Sequence, residues 1–541
     1  MRKITNILTP LLRQYRYRNK PDPFSLFQKL RKNEIIPKST KGNILILPIR
    51  VAPVSNLFEG VYSYAMKLRG YNVHALFCHQ LLQKCDNMTN KQESDFRCSL
   101  CHHEQFRFSK TFGVEAHSYE SLLDKNTISK ISKIIDNTES SRLFLLEYDG
   151  VLLGHHIKSA VMRNLLSSDV NIEKNEALVR EYAYSTIVSY ESTKQLLLKL
   201  SPKFVLSSHG VYSTWGGALE ACKKLNIEVL VWGRGYVDGN ILVSRNKSYL
   251  YERVVEPNEY WENINLTSVQ KQKISNYFLA KKNPNSSVDH VNYYQGIKNN
   301  DTLDVNEILN LKKDRLKFSL FPNIPWDGTT FSSSSAFPTM ELFFETTINW
   351  FKNNQEYDLI IRAHPAELKN KGLETIKDLI DSIFDKLPPN VYFLEPNHEI
   401  SSYDVEAVCS VSLLYASTMA LELAYSGKTV IQAGQSNASN KGIVFEPKSL
   451  EDYEDLLEKS SKGELHMTAI MKQRAEKYAY HWIYKRHIPE TTYEHKALTF
   501  TKYNLQSSMD LAPGKNKVVD WFIDRCEDGK PFIWDDDAEL S

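Results

Sequence analysis

The feature that most constrains the fold of this chain is an apolar run at residues 359–361 that ends in Arg-Ala-His-Pro. Such a run predicts a buried β-strand, and the two-residue period of a strand puts Arg362 and His364 on the same side. Pro365 suits the first turn of a helix, because its missing N–H would have no partner there in any case. A strand that leads directly into a helix predicts an α/β fold, with both basic side chains just beyond the strand.

A second stretch further along the chain repeats this pattern. Residues 405–412 predict a strand, Ser417 and Thr418 the N-cap of a helix, and Gly427 the end of that helix. Glu422 follows Thr418 by one helical turn, so one face carries a hydroxyl near the N-terminus and a carboxylate beyond it. Helix N-termini attract phosphate, and a carboxylate accepts hydrogen bonds from ribose hydroxyls. Two such strand ends predict a nucleotide site, although each alone would also suit a helix that binds nothing.

The composition is that of an ordinary globular protein of two or three domains, with 541 residues of which 42% are hydrophobic. The net charge of +2 gives no sign of a nucleic-acid partner. The first 20 residues hold six Lys or Arg and no acid, so they form either a solvated leader or a peripheral contact with the inner face of an anionic membrane. No apolar run is long enough for a membrane span or a signal peptide, so we expect a cytoplasmic protein.

Predicted strands and helices alternate in two blocks, which indicates two Rossmann-like α/β domains. The first block opens with a strand, a helix and a strand over residues 43–78, without the Gly-rich loop that cradles a dinucleotide pyrophosphate. The expected divisions are a basic leader at 1–42, an N-terminal domain at 43–256, a linker at 257–310, a C-terminal domain at 311–450, and helices with an acidic tail at 451–541.

Four cysteines begin at the end of the second predicted strand, at Cys78, Cys85, Cys98 and Cys101. The last two are spaced as Cys-x-x-Cys, and four thiols suit a tetrahedral zinc ion that would hold this irregular stretch together. A cytoplasmic setting argues against disulfides. The sequence therefore predicts either a structural zinc site or four unconnected thiols.

Several residues suit a catalytic cleft. His209, before Gly210 and beyond a predicted strand, is a candidate general base, with a satisfied structural histidine as the alternative. Glu59 begins the first helix, where it either faces a cleft or matches the helix dipole. Further on, Gly233-x-Gly235 follows a strand at a place where bare backbone lets a ligand approach closely, although such a pair also marks turns.

Short motifs carry a family resemblance. The motifs of the C-terminal half are Phe321-Pro-Asn-Ile-Pro-Trp-Asp-Gly, Ile361-Arg-Ala-His-Pro-Ala-Glu, Ser417-Thr418 with Glu422, Gly427-Lys428 and Lys441-Gly442. The motifs of the N-terminal half are the four cysteines, His209-Gly-Val-Tyr and residues 232–236. Through these motifs the chain resembles, over about residues 43–450, bacterial and archaeal capsule or surface polysaccharide biosynthesis proteins, which are GT-B glycosyltransferases. His364-Pro365 also resembles the His-Pro motif of sialyl- and Kdo-type transferases.

The resemblance implies two Rossmann-like domains facing a central cleft, with a nucleotide-sugar donor in the C-terminal domain and an oligosaccharide or glycolipid acceptor in the N-terminal domain. It implies that His364 contacts the donor phosphate in catalysis. The base would be Glu59, His209 or Asp149, which lies in an approximate acidic motif, Glu147-Tyr-Asp-Gly. The expected donor-binding residues are Arg362, His364, Glu367, Tyr415, Ser417, Thr418 and Glu422.

Two absent motifs narrow the chemistry. Ser426-Gly-Lys-Thr resembles the end of a P-loop, but Glu422 stands where that motif requires glycine. No Asp-x-Asp follows a predicted strand, so we expect metal-independent handling of phosphate by basic side chains and helix ends. Two alternatives stay open: a nucleotide-sugar epimerase of similar two-domain fold, and a non-catalytic scaffold or glycan-binding protein in envelope assembly.

Overall fold

The structure is a computed structural model that describes residues 9–10, 13–14, 18, 20–31, 36–86, 95–168, 170–283, 286–290, 303–324, 336–368, 374–496 and 499–535. Three predicted features lie wholly or partly outside these residues: the basic leader, the second half of the motif at 321–328, and the acidic tail beyond Asp535. Contact of the leader with a membrane therefore stays a prediction. Among the helices that are described, none is long and apolar enough to cross a membrane.

A seven-stranded sheet forms the centre of the N-terminal part. The strands of this part are β1 (Asn43–Ile46), β2 (Asn72–Phe77), β3 (Glu115–Ser118), β4 (Glu147–Tyr148), β5 (Val151–Leu152), β6 (Val205–Ser208), β7 (Val229–Arg234) and β8 (Asn240–Arg245). The sheet has the order β3-β2-β1-β6-β7-β8 and ends with a seventh strand at residues 488–489. Its neighbours are parallel except for β7 with β8 and β8 with the seventh strand, while β4 and β5 form a separate hairpin. The direction in which strands are added thus reverses between β1 and β6.

Helices cover both faces of this sheet. They are α1 (Pro23–Leu30), α2 (Leu57–Leu68), α3 (Asp95–Phe112), α4 (Tyr119–Leu122), α5 (Lys125–Asn137), α6 (Gly154–Leu165), α7 (Glu176–Leu200), α8 (Ser213–Lys224) and α9 (Tyr249–Val255), followed by α10 (Ser268–Lys281) and α11 (Val305–Ile308) in the predicted linker. The strands are buried on both faces, which explains their continuous apolar sequences.

The C-terminal sheet has five parallel strands in an equivalent order. They are β9 (Lys317–Phe321), β10 (Asp358–Arg362), β11 (Val391–Leu394), β12 (Val411–Leu414) and β13 (Thr429–Gln432), and they pack with α12 (Met340–Asn353), α13 (Ile376–Ile383), α14 (Ser402–Val408) and α15 (Met419–Tyr425). The order β11-β10-β9-β12-β13 reverses between β9 and β12. The predicted fold class, α/β with two Rossmann-like domains, is therefore confirmed.

The C-terminal segment returns to the N-terminal sheet. Its elements are α16 (Leu450–Ser461), α17 (Ala469–Tyr480), a π-helical turn (His481–Arg486), β14 (Ile488–Pro489), β15 (Tyr493–Lys496), β16 (Thr499–Tyr503) and α18 (Lys517–Asp528). Strand β14 pairs antiparallel with β8. The ring of Phe522 in α18 lies 5.3 Å from that of Phe58 in α2, measured between centroids. This segment therefore completes one face of the N-terminal core.

The prediction of one strand at residues 405–412 is wrong. Residues 402–408 form α14, and β12 begins only at Val411. The helix forms because Ser401 and Asp404 make a capping box, in which each side chain accepts a hydrogen bond from the backbone N–H of the other. Strand β8 is an addition to the predicted elements, and it follows a turn that ends at Gly239 (φ 68°).

Candidate functional site

A cavity of about 450 Å³ lies between the two sheets, at the carboxyl ends of their parallel strands. Its N-terminal wall comes from the loops after β6 and β7, from α9, from Lys281 and from residues 286–290. Its C-terminal wall comes from the loops after β9, β10 and β12 and from α15. Open α/β sheets bind ligands where their strand order reverses, and residues that follow β6, β9 and β12 line this cavity. Its volume is that of an ordinary small-molecule site.

His209 follows β6 and lines the cavity as predicted. Its backbone is left-handed (φ 55°), and its Nδ1 lies 3.2 Å from the hydroxyl oxygen of Tyr249. Burial, together with Arg50, Arg163 and Arg234, lowers the pKa of His209 to about 3. The ring is therefore neutral at physiological pH and is a weaker base than an ordinary histidine.

The glycines beyond β7 make room for protein side chains. A Cβ on Gly233 would overlap the ring of Tyr249, and one on Gly235 would come within 2.6 Å of Cδ2 of His487. His487 in turn accepts a hydrogen bond at Nε2 from the backbone N–H of Tyr236, over 3.0 Å. The two glycines thus position Tyr249 and Tyr236, which line the cavity. Gly235 is itself a lining residue, so close approach of a ligand to its backbone stays a prediction.

His290 lines the cavity and forms an imidazole–carboxylate pair with Asp238 behind it; neither is among the predicted site residues. Nδ1 of His290 lies 3.3 Å from Oδ1 of Asp238, and Nε2 of His290 lies 3.4 Å from Nη1 of Arg234. The bond to His290 is the main reason that the pKa of Asp238 is lowered. A carboxylate that accepts the Nδ1 proton leaves Nε2 as the basic nitrogen, which is the geometry of a general base.

The surroundings of His290 explain why sequence patterns miss it. It lies in the polar segment predicted as linker, where no hydrophobic period marks a strand or helix. Its backbone N–H donates to the carbonyl of Tyr236 over 2.7 Å, and Val237 forms an isolated antiparallel bridge with Asp289. The only local signal is the pair Asp289-His290 itself, and its partner Asp238 lies far away in the sequence.

Three arginines give the N-terminal wall its charge. The guanidinium carbon of Arg163 lies 4.9 Å from the ring centroid of Tyr212, and Arg253 donates a hydrogen bond to the hydroxyl of Tyr236. The third, Arg234, contacts the imidazole of the pair described above. Of the described residues that line the cavity, five are Lys or Arg and two are Asp or Glu. This excess of positive charge favours an anionic ligand.

Arg362 ends β10 as predicted, but its guanidinium is occupied by the protein's own backbone. Its N–H groups donate, over 2.7 to 3.4 Å, to the carbonyl oxygens of Ile400, Ala363, Glu395, Pro396 and His398. A guanidinium has five N–H donors, and these bonds use all of them. Arg362 therefore adds positive charge to the wall, and a direct hydrogen bond to phosphate would require one of the five to break.

His364 lines the cavity two residues further on. Its Nδ1 accepts a hydrogen bond from the backbone N–H of Ala366 over 3.1 Å. Burial and, to a smaller degree, Arg362 lower the pKa of His364 to about 4. The ring is therefore neutral with its proton on Nε2, so it can donate a hydrogen bond to phosphate but brings no charge.

Ser417 and Thr418 also line the cavity, where α15 begins. The predicted cap differs in detail, because Thr418 already has helical dihedral angles and makes no side-chain capping bond. The backbone N–H of Met419 instead donates to Oγ of Ser417 over 3.2 Å. The hydroxyl of Ser417 is therefore the one that serves the start of the helix.

Glu422 lines the cavity but is held by two other side chains. Its Oε1 lies 2.7 Å from Nζ of Lys281, and its Oε2 accepts a hydrogen bond from the hydroxyl of Tyr403 over 3.0 Å. Lys281 also lies 3.0 Å from Oδ2 of Asp289. Burial alone would lower the pKa of Lys281, but the two carboxylates raise it well above its ordinary value. A ribose would therefore share Glu422 with these groups.

Glu367 and Tyr415 lie behind the cavity wall. Burial raises the pKa of Glu367 to about 7, and its Oε2 accepts a hydrogen bond from the backbone N–H of Ile376 over 3.3 Å. Tyr415 is 2% exposed, and its hydroxyl donates to the carbonyl of Phe337 over 3.2 Å. Both support the wall, because neither is among the residues that line the cavity.

Two of the three predicted bases lie outside the cavity. Glu59 is fully buried, burial raises its pKa to about 7, and it accepts a hydrogen bond from Nε1 of Trp232 over 3.1 Å. Asp149 lies in the turn of the β4–β5 hairpin, where its carboxylate is 2.7 Å from Nζ of Lys194. Among the predicted bases, His209 is the one that lines the cavity.

The four cysteines surround a second cavity of about 20 Å³. Burial raises the pKa of Cys78 to about 11 and that of Cys101 well above its ordinary value, and neighbouring thiols add to both shifts. The sulphurs are not among the groups of described residues whose ligand atoms all lie within 4.8 Å of one another. The thiols are thus brought together without a coordination geometry, and zinc binding stays a prediction.

Neither a protein-family model nor a curated protein matches the chain. Among solved structures, the chain is similar to the β-Kdo 2,4-transferase KpsC of Thermosulfurimonas dismutans, at 13% identity and a TM-score of 0.33, over 51% of this chain and 79% of that one. It is also similar to the UDP-GlcNAc 2-epimerase of Neisseria meningitidis (12% identity, 80% and 97%, TM-score 0.23) and to the sucrose-phosphate synthase of Thermosynechococcus elongatus (11%, 81% and 94%, TM-score 0.28). These TM-scores are low, and the fold assignment rests on the strand order of the two sheets.

Proposed function

We propose that this protein is a glycosyltransferase that moves a sugar from a nucleotide-sugar to a surface polysaccharide or glycolipid acceptor. The observation that carries the proposal is a single cavity, rich in positive charge, onto which the order reversals of two Rossmann-like sheets converge. A nucleotide-sugar is anionic at its phosphates, and its acceptor needs a place on the opposite side of the reacting carbon. Two facing domains supply both sides.

The donor would lie against the C-terminal wall. His364 would donate from Nε2 to a phosphate oxygen, the hydroxyls of Ser417 and Thr418 would lie beside it, and Glu422 would accept from the ribose. Arg362 would contribute positive charge from behind the wall. Donors and charges placed in advance stabilise the negative charge that develops on the leaving nucleotide.

The acceptor would lie against the N-terminal wall, beside His290 and Asp238. Its hydroxyl oxygen forms a bond to the anomeric carbon while the bond from that carbon to the donor phosphate breaks, and the nucleotide leaves with the electron pair. The hydroxyl proton passes to Nε2 of His290, once Arg234 has moved from that nitrogen to the substrate. His209 is the second base at the cavity, and its pKa of about 3 makes it a weaker base than an ordinary histidine.

Phosphate charge would be met by protein cations without a metal ion. Both carboxylates that line the cavity among the described residues, Asp289 and Glu422, form ion pairs with Lys281. Carboxylates that are already paired are poor ligands for a divalent cation, whereas guanidinium groups suit phosphate.

Thermal unfolding in the presence of CMP, UDP, GDP or ADP at equal concentrations tests the donor site. We expect one nucleotide to raise the Tm of the wild type, because a ligand of the folded state stabilises it by mass action. The increase should be lost in His364→Ala. His398→Ala is the matched control, because Nδ1 of His398 accepts the same kind of backbone bond, from Ile400 over 3.1 Å, outside the cavity lining.

The outcomes separate the alternatives. A wild type that responds to none of the four nucleotides contradicts the donor site and makes a non-catalytic scaffold the leading interpretation. Where one nucleotide does bind, product analysis with the corresponding nucleotide-sugar distinguishes the two enzymes. A changed sugar formed without any acceptor identifies an epimerase, and glycosylated acceptor identifies a transferase.

A further inference from the structure

Two histidines and a glutamate form a cluster at the edge of the N-terminal sheet, near the amino ends of its strands and away from the cavity. His74 lies on β2, and Glu115 and His117 lie on β3, with His74 directly opposite Glu115. Strand β3 is an edge strand of four residues, paired on one side with β2. All three potential ligand atoms of the cluster lie within 4.8 Å of one another.

The spacing of these atoms matches a tetrahedral metal site. Nδ1 of His74 lies 3.1 Å from Nε2 of His117. The two carboxylate oxygens of Glu115 lie 3.5 Å from Nδ1 of His74 and 3.6 Å from Nε2 of His117. Nitrogen and oxygen ligands at ordinary zinc distances in a tetrahedron are about 3.4 Å apart. The two imidazole nitrogens lie close to this separation, and each lies at a similar distance from a different oxygen of Glu115. The carboxylate must therefore turn so that one of its oxygens takes the third corner.

The orientation of His74 is set by Asn43. The side-chain amide of Asn43 donates to the carbonyl of Leu200 over 2.9 Å, so its Oδ1 faces Nε2 of His74 at 3.3 Å. Nε2 must then carry the ring proton, and Nδ1 directs its lone pair at Glu115 and His117. Histidines that ligate metals are held in this way by an acceptor on the other ring nitrogen.

Solvent reaches the cluster. The Glu115 side chain is 66% exposed, so water can supply a fourth ligand. Lys199 acts in the opposite sense, because its positive charge near both histidines would weaken the binding of a cation.

We propose that His74, Glu115 and His117 bind a divalent transition-metal ion such as Zn²⁺, with water as the fourth ligand. Two imidazoles and one carboxylate favour such an ion over Mg²⁺ or Ca²⁺, which prefer oxygen ligands. The ion would join β2 to β3 and so hold the edge strand in place. This role is structural and does not depend on the proposed glycosyl transfer.

A second cluster of the same residue types provides a control. His155, His156 and Glu220 also have ligand atoms within 4.8 Å of one another. There, however, Nζ of Lys223 lies 2.8 Å from Glu220 and already neutralises it. Glu220 is thus less available to a metal than Glu115, so loss of His155 should not change metal binding.

Titration of the full-length protein with Co²⁺ tests the proposal, because visible absorption of bound Co²⁺ reports nitrogen and oxygen ligands, whereas a thiolate-to-cobalt band in the ultraviolet reports the cysteines. We expect visible absorption without a thiolate contribution at this site. This absorption should be lost in His117→Ala and unchanged in His155→Ala. In Glu115→Gln the affinity for Co²⁺ should fall about tenfold or more. Zn²⁺ should raise the Tm of the wild type and of His155→Ala but not that of His117→Ala.

The proposal is overturned if His117→Ala binds Co²⁺ like the wild type, if the wild type shows only the thiolate band, or if it binds no Co²⁺. Should His117→Ala fail to fold, His117→Gln replaces it, because the amide of glutamine still offers a hydrogen bond to Nδ1 of His74. The expectation for that variant is the same loss of visible absorption.

Discussion

The two walls of the cavity carry similar residue types and use them differently. On the C-terminal wall, the guanidinium of Arg362 is consumed by five backbone carbonyls and the ring of His364 accepts a bond from the backbone of Ala366. On the N-terminal wall, Arg163 and Arg253 rest on tyrosine side chains. Bonds to five carbonyls maintain the shape of a loop, whereas cation–π contacts hold Arg163 and Arg253 in the lining of the cavity.

The contrast shows that spacing along a strand predicts the backbone position of a residue but not the contacts that the far end of its side chain makes. Arg362 and His364 both follow β10 as the two-residue period requires. The direction of the Arg362 side chain depends on carbonyls at residues 395–400, beyond the next strand. The following predictions are ordered from the largest expected effect to the smallest.

Removing the imidazole of the N-terminal wall should have the largest effect on the reaction. We expect His290→Ala to lower kcat by roughly 10²- to 10⁴-fold, since it removes the proposed general base. Asp238→Asn should lower kcat by a smaller factor and should shift the pH profile of kcat, because the carboxylate orients the imidazole ring of His290. The measurement is the rate of transfer to acceptor with saturating donor. Equal rates in wild type and His290→Ala would show that the base lies elsewhere.

Replacing Arg362 should affect stability more than binding. We expect Arg362→Met to lower the free energy of unfolding by about 3 kcal/mol or more, because several buried carbonyls lose their donor. Urea unfolding followed by circular dichroism measures it. If the variant keeps its stability but loses affinity for nucleotide, the two walls do not differ in the way described above.

The opposite result is expected for Arg163. Arg163→Met should weaken binding of the anionic substrate by about tenfold while the free energy of unfolding changes by less than about 1 kcal/mol. Calorimetric titration at two salt concentrations is the measurement, and the difference between wild type and variant should shrink at high salt. A difference that is independent of salt would argue against a role for the charge.

The smallest expected effect concerns pH. Burial lowers the pKa of His487 to about 4, and its Nε2 accepts a hydrogen bond from the backbone N–H of Tyr236. Because the unfolded chain binds the proton more tightly, stability is complete above about pH 6.5 and is lost as the pH falls from there towards 4. His487→Gln should reduce the dependence of the free energy of unfolding on pH, measured by urea unfolding at several pH values. An unchanged pH dependence would show that other buried histidines cause the loss of stability.

Most of the fold was predictable from local patterns, and about half of the site. Apolar periods and flanking turn residues predict a helix at 176–200 and strands at 317–321 and 391–394, and α7, β9 and β11 have these bounds. The positions of His209, His364 and Thr418 followed from strand ends. The pairing of His290 with Asp238 did not, because it depends on a bridge between distant, polar segments that carry no periodic signal.

The return of the C-terminal segment has a consequence for how the protein is made. Phe58 shares a buried cluster with Phe522, Ile523 and Trp534, so one face of the N-terminal sheet stays open until these three residues have been translated. At ordinary rates of synthesis this interval is on the order of a minute. The N-terminal sheet thus closes only after the C-terminal sheet has been made, and its apolar face is exposed to aggregation during that time.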